Sequence, residues 1–203
     1  MEGWRIHTGT ALALPFDNLD TDQLIPARFM SQPRDAGYDD FLLYDMRRDA
    51  HGNLDPGFPL NCDSQASILV VGRNFGSGSS REAAVYALVD AGVRAVIAPS
   101  FGDIFASNAV NNGLLPARVS DADGAALLMA LSGKPESASV DLETGRLMIG
   151  TMSIQFALDG AWRIKLINGW DDIDLTQRHQ SDIQTFSKTR RHNAPWVWPH
   201  ETH

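Results

Sequence analysis

Asn74-Phe75-Gly76-Ser77-Gly78-Ser79-Ser80-Arg81-Glu82 is the stretch on which the reading of this chain turns. Ahead of it, Ile68-Leu69-Val70-Val71 is a short aliphatic, β-branched run that predicts a fully buried strand. Behind it, Ala83 to Ala91 is built of good helix formers, and Gly92 is placed to stop the helix. Gly76 and Gly78 permit a tight turn and a close approach of backbone to ligand. Ser79 and Glu82 fit the S-x-x-E capping box, which predicts a helix beginning at Ser79 or Ser80. Two hydroxyls, a guanidinium and free backbone N–H groups then gather at the positive helix end, a setting that suits a carboxylate or phosphate. The plain alternative is a flexible Gly/Ser loop with an ordinary cap. Arg81 fits that alternative poorly, because a cation in the first turn opposes the helix dipole unless an anion offsets it.

Two nucleotide motifs can be tested on the same residues. A dinucleotide fingerprint needs a small residue where Arg81 stands and an acidic one roughly 20 positions beyond the turn. That second position falls near Ala98-Pro99-Ser100, none of them acidic. A Walker loop needs Gly-Lys-Ser/Thr, which this turn lacks.

The next residues repeat the pattern. Val93 to Ala98 predicts a second buried strand ended by Pro99, and Ser100 is a candidate cap for a helix that stops near Asn112-Gly113. Strand–helix–strand–helix between Ile68 and Pro116 implies a parallel pair, and such sheets bind ligands at the carboxyl ends of their strands, where Gly76 to Arg81 lies.

Gly-x-Gly-Ser-Ser-Arg-Glu at 76 to 82, Ala-Pro-Ser-Phe-Gly-Asp-Ile-Phe at 98 to 105 and Asn111-Asn112-Gly113-Leu114-Leu115-Pro116 together resemble the swivelling domain of the aconitase superfamily. At this length the chain is most similar to the separate small subunits of isopropylmalate isomerases. Asn18 to Pro26 near the start and Asn168 to Thr176 near the end extend the resemblance. It implies a three-layer β/β/α domain spanning residues 1–203, with a parallel βαβ unit, an antiparallel strand layer and a C-terminal tail from about residue 190. It implies a hydro-lyase that interconverts 2- and 3-isopropylmalate in leucine biosynthesis. The family's 4Fe–4S cluster is expected on a large subunit in a heterodimer or heterotetramer, with no cofactor on this chain. Carried over residue by residue, Ser79 is the base, Asp22 orients groups at the active site, Arg81 grips a substrate carboxylate, and Ser80 and Gly78 assist. The loop after Asp20-Thr21-Asp22 reads the substrate side chain in relatives, which makes Arg28, Arg34 and the stretch Phe29 to Tyr38 candidates. Family members commonly have Cys between the glycines and His after Ser-Arg-Glu; here Ser77 and Ala83 stand there. Related hydro-lyases (homoaconitase, dimethylmalate or citraconate-type dehydratases) share the pattern. A non-catalytic carboxylate-binding module is the alternative of another class.

Composition is compatible with that resemblance. The chain has 203 residues, 43% of them hydrophobic, which is ordinary for a globular protein. Its 25 acidic against 17 basic residues leave a formal charge of −8, which argues against nucleic acid or an anionic membrane as partner. An anionic substrate must therefore be held by local cations such as Arg81. The sole cysteine, Cys62, excludes an internal disulfide and fits a reducing compartment; by itself it cannot hold an iron–sulfur cluster. No apolar run reaches the length of a membrane helix, and the first residues do not read as a signal peptide, so a cytoplasmic protein is expected.

Elsewhere the signals are local. Thr8 to Leu14 predicts a strand stopped by Pro15, and Asp17, Asp20 and Asp22 crowd one loop without the spacing of a calcium site. Ala27 to Asn61 is rich in turn formers. Ser120 is a candidate cap for a helix to Leu131. Ser139–Leu142, Arg146–Ile149, Thr151–Phe156 and Trp162–Leu166 alternate like short strands, with turns at Glu143-Thr144-Gly145 and Asp159-Gly160. Leu175 to Lys188 predicts a last helix with Ile183 and Phe186 facing inward, followed by a solvated basic tail.

Overall fold

The computed structural model describes residues 2–34, 37–63 and 65–198. Its centre is one mixed sheet of seven strands: β1 (Ile6–Leu14), β2 (Ala66–Val71), β3 (Ala95–Ala98), β4 (Leu115–Arg118), β5 (Glu136–Asp141), β6 (Arg146–Ile149) and β7 (Met152–Gln155). The order is β4-β3-β2-β1-β5-β6-β7, parallel from β4 to β1 and antiparallel from β1 to β7. β1 is therefore the seam between a parallel half and a meander. Residues Ile68 to Val71 are fully buried, as the uninterrupted aliphatic run required.

The alternation of side chains along the parallel strands sorts them into two cores. Leu69, Val71, Val96 and Ala98 face α3 (Glu82–Asp90) and α4 (Asp103–Asn111), meeting Ala84, Val85, Leu88, Phe105 and Ala109. Ile68, Val70, Ala95 and Ile97 face the other way. There they share a cluster with Val140, Leu147, Ile149 and Ile154 of the meander and with Leu127 of α5 (Asp121–Ala130). Helices, parallel strands and antiparallel strands thus stack as the three layers that the resemblance implied. The antiparallel layer is hydrogen-bonded to the parallel unit through β1–β5 rather than merely packed beside it.

Several local expectations need correction. Trp162 to Leu166 is not a strand but lies within α6 (Gly160–Asn168). Asp159 accepts from the N–H groups of Ala161 and Trp162, and Gly169, at φ 70°, takes the left-handed closing position. A cap at each end outweighs the five-residue alternation between them. α3 begins at Glu82, with Arg81 at the cap position, so the Ser79–Glu82 box does not form. α4 begins after Gly102, and the Ser100 hydroxyl instead accepts from the N–H of Asn74. The single last helix is two: α7 (Asp172–Gln177), started by a capping box at Asp171, and α8 (Gln180–Asn193). Ile183 and Phe186 are 45% and 68% exposed, not inward. The expected tail from about residue 190 is still helical to Asn193 and then makes a 3-10 turn at Pro195–Val197. Among the described residues, no helix is long and apolar enough to cross a membrane.

Candidate active site

The turn between β2 and α3 takes three left-handed residues, Asn74 (φ 57°), Gly76 (φ 70°) and Gly78 (φ 91°). At Gly76 the demand is double. A Cβ there would sit 2.2 Å from Cγ of Phe105, so only glycine lets the turn lie on the Phe75–Phe101–Phe105 cluster. Backbone bonds from Phe75 N–H to Ser100 O (3.1 Å) and from Gly102 N–H to Phe75 O (2.9 Å) fix it to the loop before α4.

On its other side the turn is zipped to the Asp20-Thr21-Asp22 segment. Gly76 N–H donates to Leu19 O at 2.7 Å, Thr21 N–H to Ser77 O at 3.0 Å, and the buried Thr21 hydroxyl to Ser79 O at 2.9 Å. Arg81 N–H also donates to Ser79 O, at 2.8 Å. With its carbonyl drawn toward Thr21 in this way, Ser79 stays outside the helix. The Glu82 carboxylate, freed from capping, accepts from Asn112 Nδ2 at 2.9 Å.

Each aspartate of the Asp-Thr-Asp segment has one task. Asp20 caps α1 (Thr21–Leu24), its carboxylate accepting from Gln23 N–H at 2.8 Å while Gln23 Oε1 accepts from Asp20 N–H. Asp22, two residues on, forms an ion pair with Arg81. The Arg81 side chain is only 18% exposed, whereas that of Asp22 is 55% exposed, so the pair straddles the protein surface. Ser79, Ser80 and Gly78 are exposed at the same mouth. A cleft of about 230 Å³, lined by Gly76 to Ser79 and Gly102 to Phe105, opens beside them.

Asp22, Gly78, Ser79, Ser80 and Arg81 are thus brought together. Arg28 and Arg34 are not brought to them. Arg28 pairs with Asp45, donating from Nη1 at 2.9 Å, and its guanidinium lies over the rings of Phe29 and Tyr44. That guanidinium holds the Asp45 carboxyl below the usual carboxylate range. Arg34 pairs with Asp90 at 3.2 Å and lies 3.6 Å over the Tyr86 ring. Asp90 ends α3 nine residues after Arg81, which puts this contact roughly 13 Å along the helix from the mouth. Asp35 and Ala36 of the same stretch lie outside the described residues.

Two residues with a part in this site escaped the sequence reading. Thr21 was legible only as the middle of Asp-Thr-Asp, yet its hydroxyl ties α1 to Ser79. Lys165 is 4% exposed, and its ammonium is held by Asp172 and by Asn111 Oδ1 at 3.0 Å. Asn111 in turn donates to Asp172 at 3.0 Å, so α4, which borders the cleft, is clasped to α6 and α7. The hydrogen bond from Lys165 holds the Asp172 carboxyl below its ordinary range, with the bond from Asn111 adding to it.

The chain as a whole is similar to proteins of one family. The Aconitase C-terminal domain family matches residues 1–122. A 3-isopropylmalate dehydratase small subunit from Shouchella clausii is 41% identical over 188 residues, covering 92% of this chain and 95% of the relative. One from Halalkalibacterium halodurans is 42% identical over 193 residues, 94% of this chain and all of the relative. The chain belongs to the 3-isopropylmalate dehydratase small-subunit family. A solved 3-isopropylmalate dehydratase structure from Methanocaldococcus jannaschii superimposes with a TM-score of 0.64 at 26% identity, covering 90% of this chain and 99% of that one. This chain has one cysteine, too few for it to hold a 4Fe–4S cluster by itself. Such clusters take three or four thiolates, and Cys62, the last residue of the short helix α2 (Pro59–Cys62), donates to Pro56 O at 3.0 Å. Among the described residues, no group of three or more His, Cys, Asp or Glu side chains is placed to hold a metal ion.

Proposed function

We propose that this chain is the small subunit of a 3-isopropylmalate dehydratase and supplies the proton-abstracting and carboxylate-binding half of the active site. The observation that carries the reading is the Arg81–Asp22 ion pair beside the exposed Ser79, at the mouth of the β2–α3 turn. Full-length identity of about 41–42% to small subunits of that enzyme supports the substrate.

The reaction moves a hydroxyl between neighbouring carbons by removing water and returning it. A proton must leave a carbon next to a carboxylate, which needs a strong base and compensation of the developing negative charge. Ser79 Oγ, as the alkoxide, takes that proton and becomes a hydroxyl. The electron pair left behind forms the carbon–carbon double bond as the hydroxyl departs from the adjacent carbon. Hydroxide then adds to the carbon that lost the proton while Ser79 gives its proton to the carbon that lost the hydroxyl, which restores the elements of water with the opposite regiochemistry. The N-terminal N–H groups of α3 and the Arg81 charge lower the cost of the alkoxide by favouring the charged form. Arg81 has five N–H donors, enough to hold Asp22 and a substrate carboxylate together, so Asp22 fixes the fork on which the substrate docks. Ser80 adds a hydroxyl donor to that carboxylate.

In this reading the Lewis acid for the departing hydroxyl belongs to a large subunit that carries the 4Fe–4S cluster. The chain alone is then inactive. Reconstitution with a cluster-loaded large subunit tests the proposal. Turnover of 2-isopropylmalate only when both chains are present, and above that of malates with shorter or longer side chains, is expected. A reconstituted complex that leaves isopropylmalate untouched while turning over another branched malate would assign a different substrate.

A further inference from the structure

Helix α8 is 14 residues long and has no buried residue. A helix of that length is marginal in water unless something packs on it. Ile183, Phe186 and Arg190 fall at i, i+3 and i+7 and share one stripe, and Trp196, 78% exposed, follows in the adjoining 3-10 turn. Between Arg178 and Asn193 four basic residues (Arg178, Lys188, Arg190, Arg191) stand against one acidic residue, Asp182, in a chain whose formal charge is −8. The arm thus carries an apolar stripe with a basic surround on an otherwise acidic molecule.

Its position links it to the active-site mouth. Exposed Ile104, in the first turn of α4, lines the cleft beside Ser79. Ile104, Asn108 and Asn111 share the outer face of that helix at i, i+4 and i+7. Asn111 donates to Asp172, the first residue of α7, beside exposed Ile173, and α8 follows two residues after α7 ends. Exposed Ile104 at the mouth and exposed Ile173 on α7 are thus joined through the polar face of α4 and its Asn111–Asp172 bond, and the arm follows α7 directly in the chain. A partner that closes over Ser79 meets Ile104 first.

We infer that the α7–α8 arm docks the large subunit, laying Ile183 and Phe186 into an apolar groove rimmed by carboxylates, on the side of the molecule that the Asn111–Asp172 bond ties to the helix bordering the cleft. This rests on the reading of the chain as a small subunit of a two-chain dehydratase. The test is titration of the cluster-loaded large subunit with the full chain and with an Ile183→Ser/Phe186→Ser variant, reading both affinity and turnover. No residue of α8 is buried, so the variant keeps the fold, checked by an unchanged melting temperature and circular dichroism spectrum. The inference expects Kd to rise tenfold or more while kcat at saturating large subunit is unchanged. It also expects Lys188→Glu/Arg190→Glu to weaken association and to flatten its dependence on salt. Equal affinity of wild type and variants overturns the inference and leaves the functional reading intact. So does self-association of the isolated wild type that the apolar variant loses without change in large-subunit affinity, which would give the face to a second copy. If the wild type does not bind a large subunit at all, the functional reading falls as well.

Discussion

At the scale of single residues, the site depends on side chains whose neighbours dictate their type. Gly76 is the strictest case, since an added methyl must take φ 70° and meet the Phe105 ring. Gly76→Ala is expected to destabilise the protein by about 2–4 kcal/mol, read by denaturant unfolding, from left-handed strain and overpacking together. At Arg81 the expectation concerns geometry rather than charge. Arg81→Lys keeps the cation but loses the planar fork, and kcat/KM of the reconstituted enzyme should fall roughly 10- to 100-fold. Unchanged kinetics would remove Arg81 from carboxylate binding. Asp22, Ser79, Ser80 and Arg81 were legible in the sequence because each belongs to a short ordered motif. That Asp22 meets Arg81 was not, because the two are 59 positions apart and only the zipper from Gly76 to Thr21 brings them together. Arg28 and Arg34 show what the sequence did not announce. The resemblance makes their loop a candidate reader of the substrate side chain, and in this structure each has its own carboxylate and aromatic face, partners that no local pattern announces.

At the scale of elements, strands and helices followed their signals where burial was one-sided or complete, as in β2 and α3. They departed where caps decided the matter. α6 reads as a strand by alternation and is a helix by Asp159 and Gly169, and α3 starts late because Thr21 engages the Ser79 carbonyl. The clasp between α4, α6 and α7 yields two tests. Asp172→Ala leaves the Lys165 ammonium buried with Asn111 alone and should cost about 1–3 kcal/mol. Lys165→Met, which removes the buried charge, should cost less. Its pH dependence has a definite sign. The folded Asp172 carboxyl lies below the ordinary value of about 4, so the unfolded chain takes up that proton first as the pH falls. The clasp's contribution is therefore complete above the unfolded value and drains away as pH drops through the folded one. Asp172→Asn should remove that part of the acid sensitivity in melting curves taken across the acid range. An unchanged acid limb would mean that the clasp carries no linkage.

At the scale of the whole molecule, the long-range order of the sheet could not be read from the chain. Local alternation announced the meander, but nothing local says that β5 pairs with β1, which makes β1 the shared edge of two half-sheets. The consequence is functional. β1 leads through Pro15 into the Asp20–Leu24 segment, and β2 leads into the glycine turn, so adjacent parallel strands deliver Asp22 and Arg81 to one mouth. The exposed arm of α8 was misread for a related reason. An apolar stripe at helical spacing ordinarily faces its own core, and here no core lies beneath it. The relatives' name, small subunit, implies a partner chain, and the exposed face of α8 is the surface inferred to meet it.

The central claim is that Ser79 is the base of a dehydratase completed by a cluster-bearing partner. The most direct measurement is single-turnover exchange of the substrate's carbon-bound proton by the reconstituted complex carrying Ser79→Ala, with complex formation checked alongside. The account predicts an intact complex whose proton abstraction is slowed about 10²- to 10⁴-fold. Wild-type abstraction by that variant would contradict it.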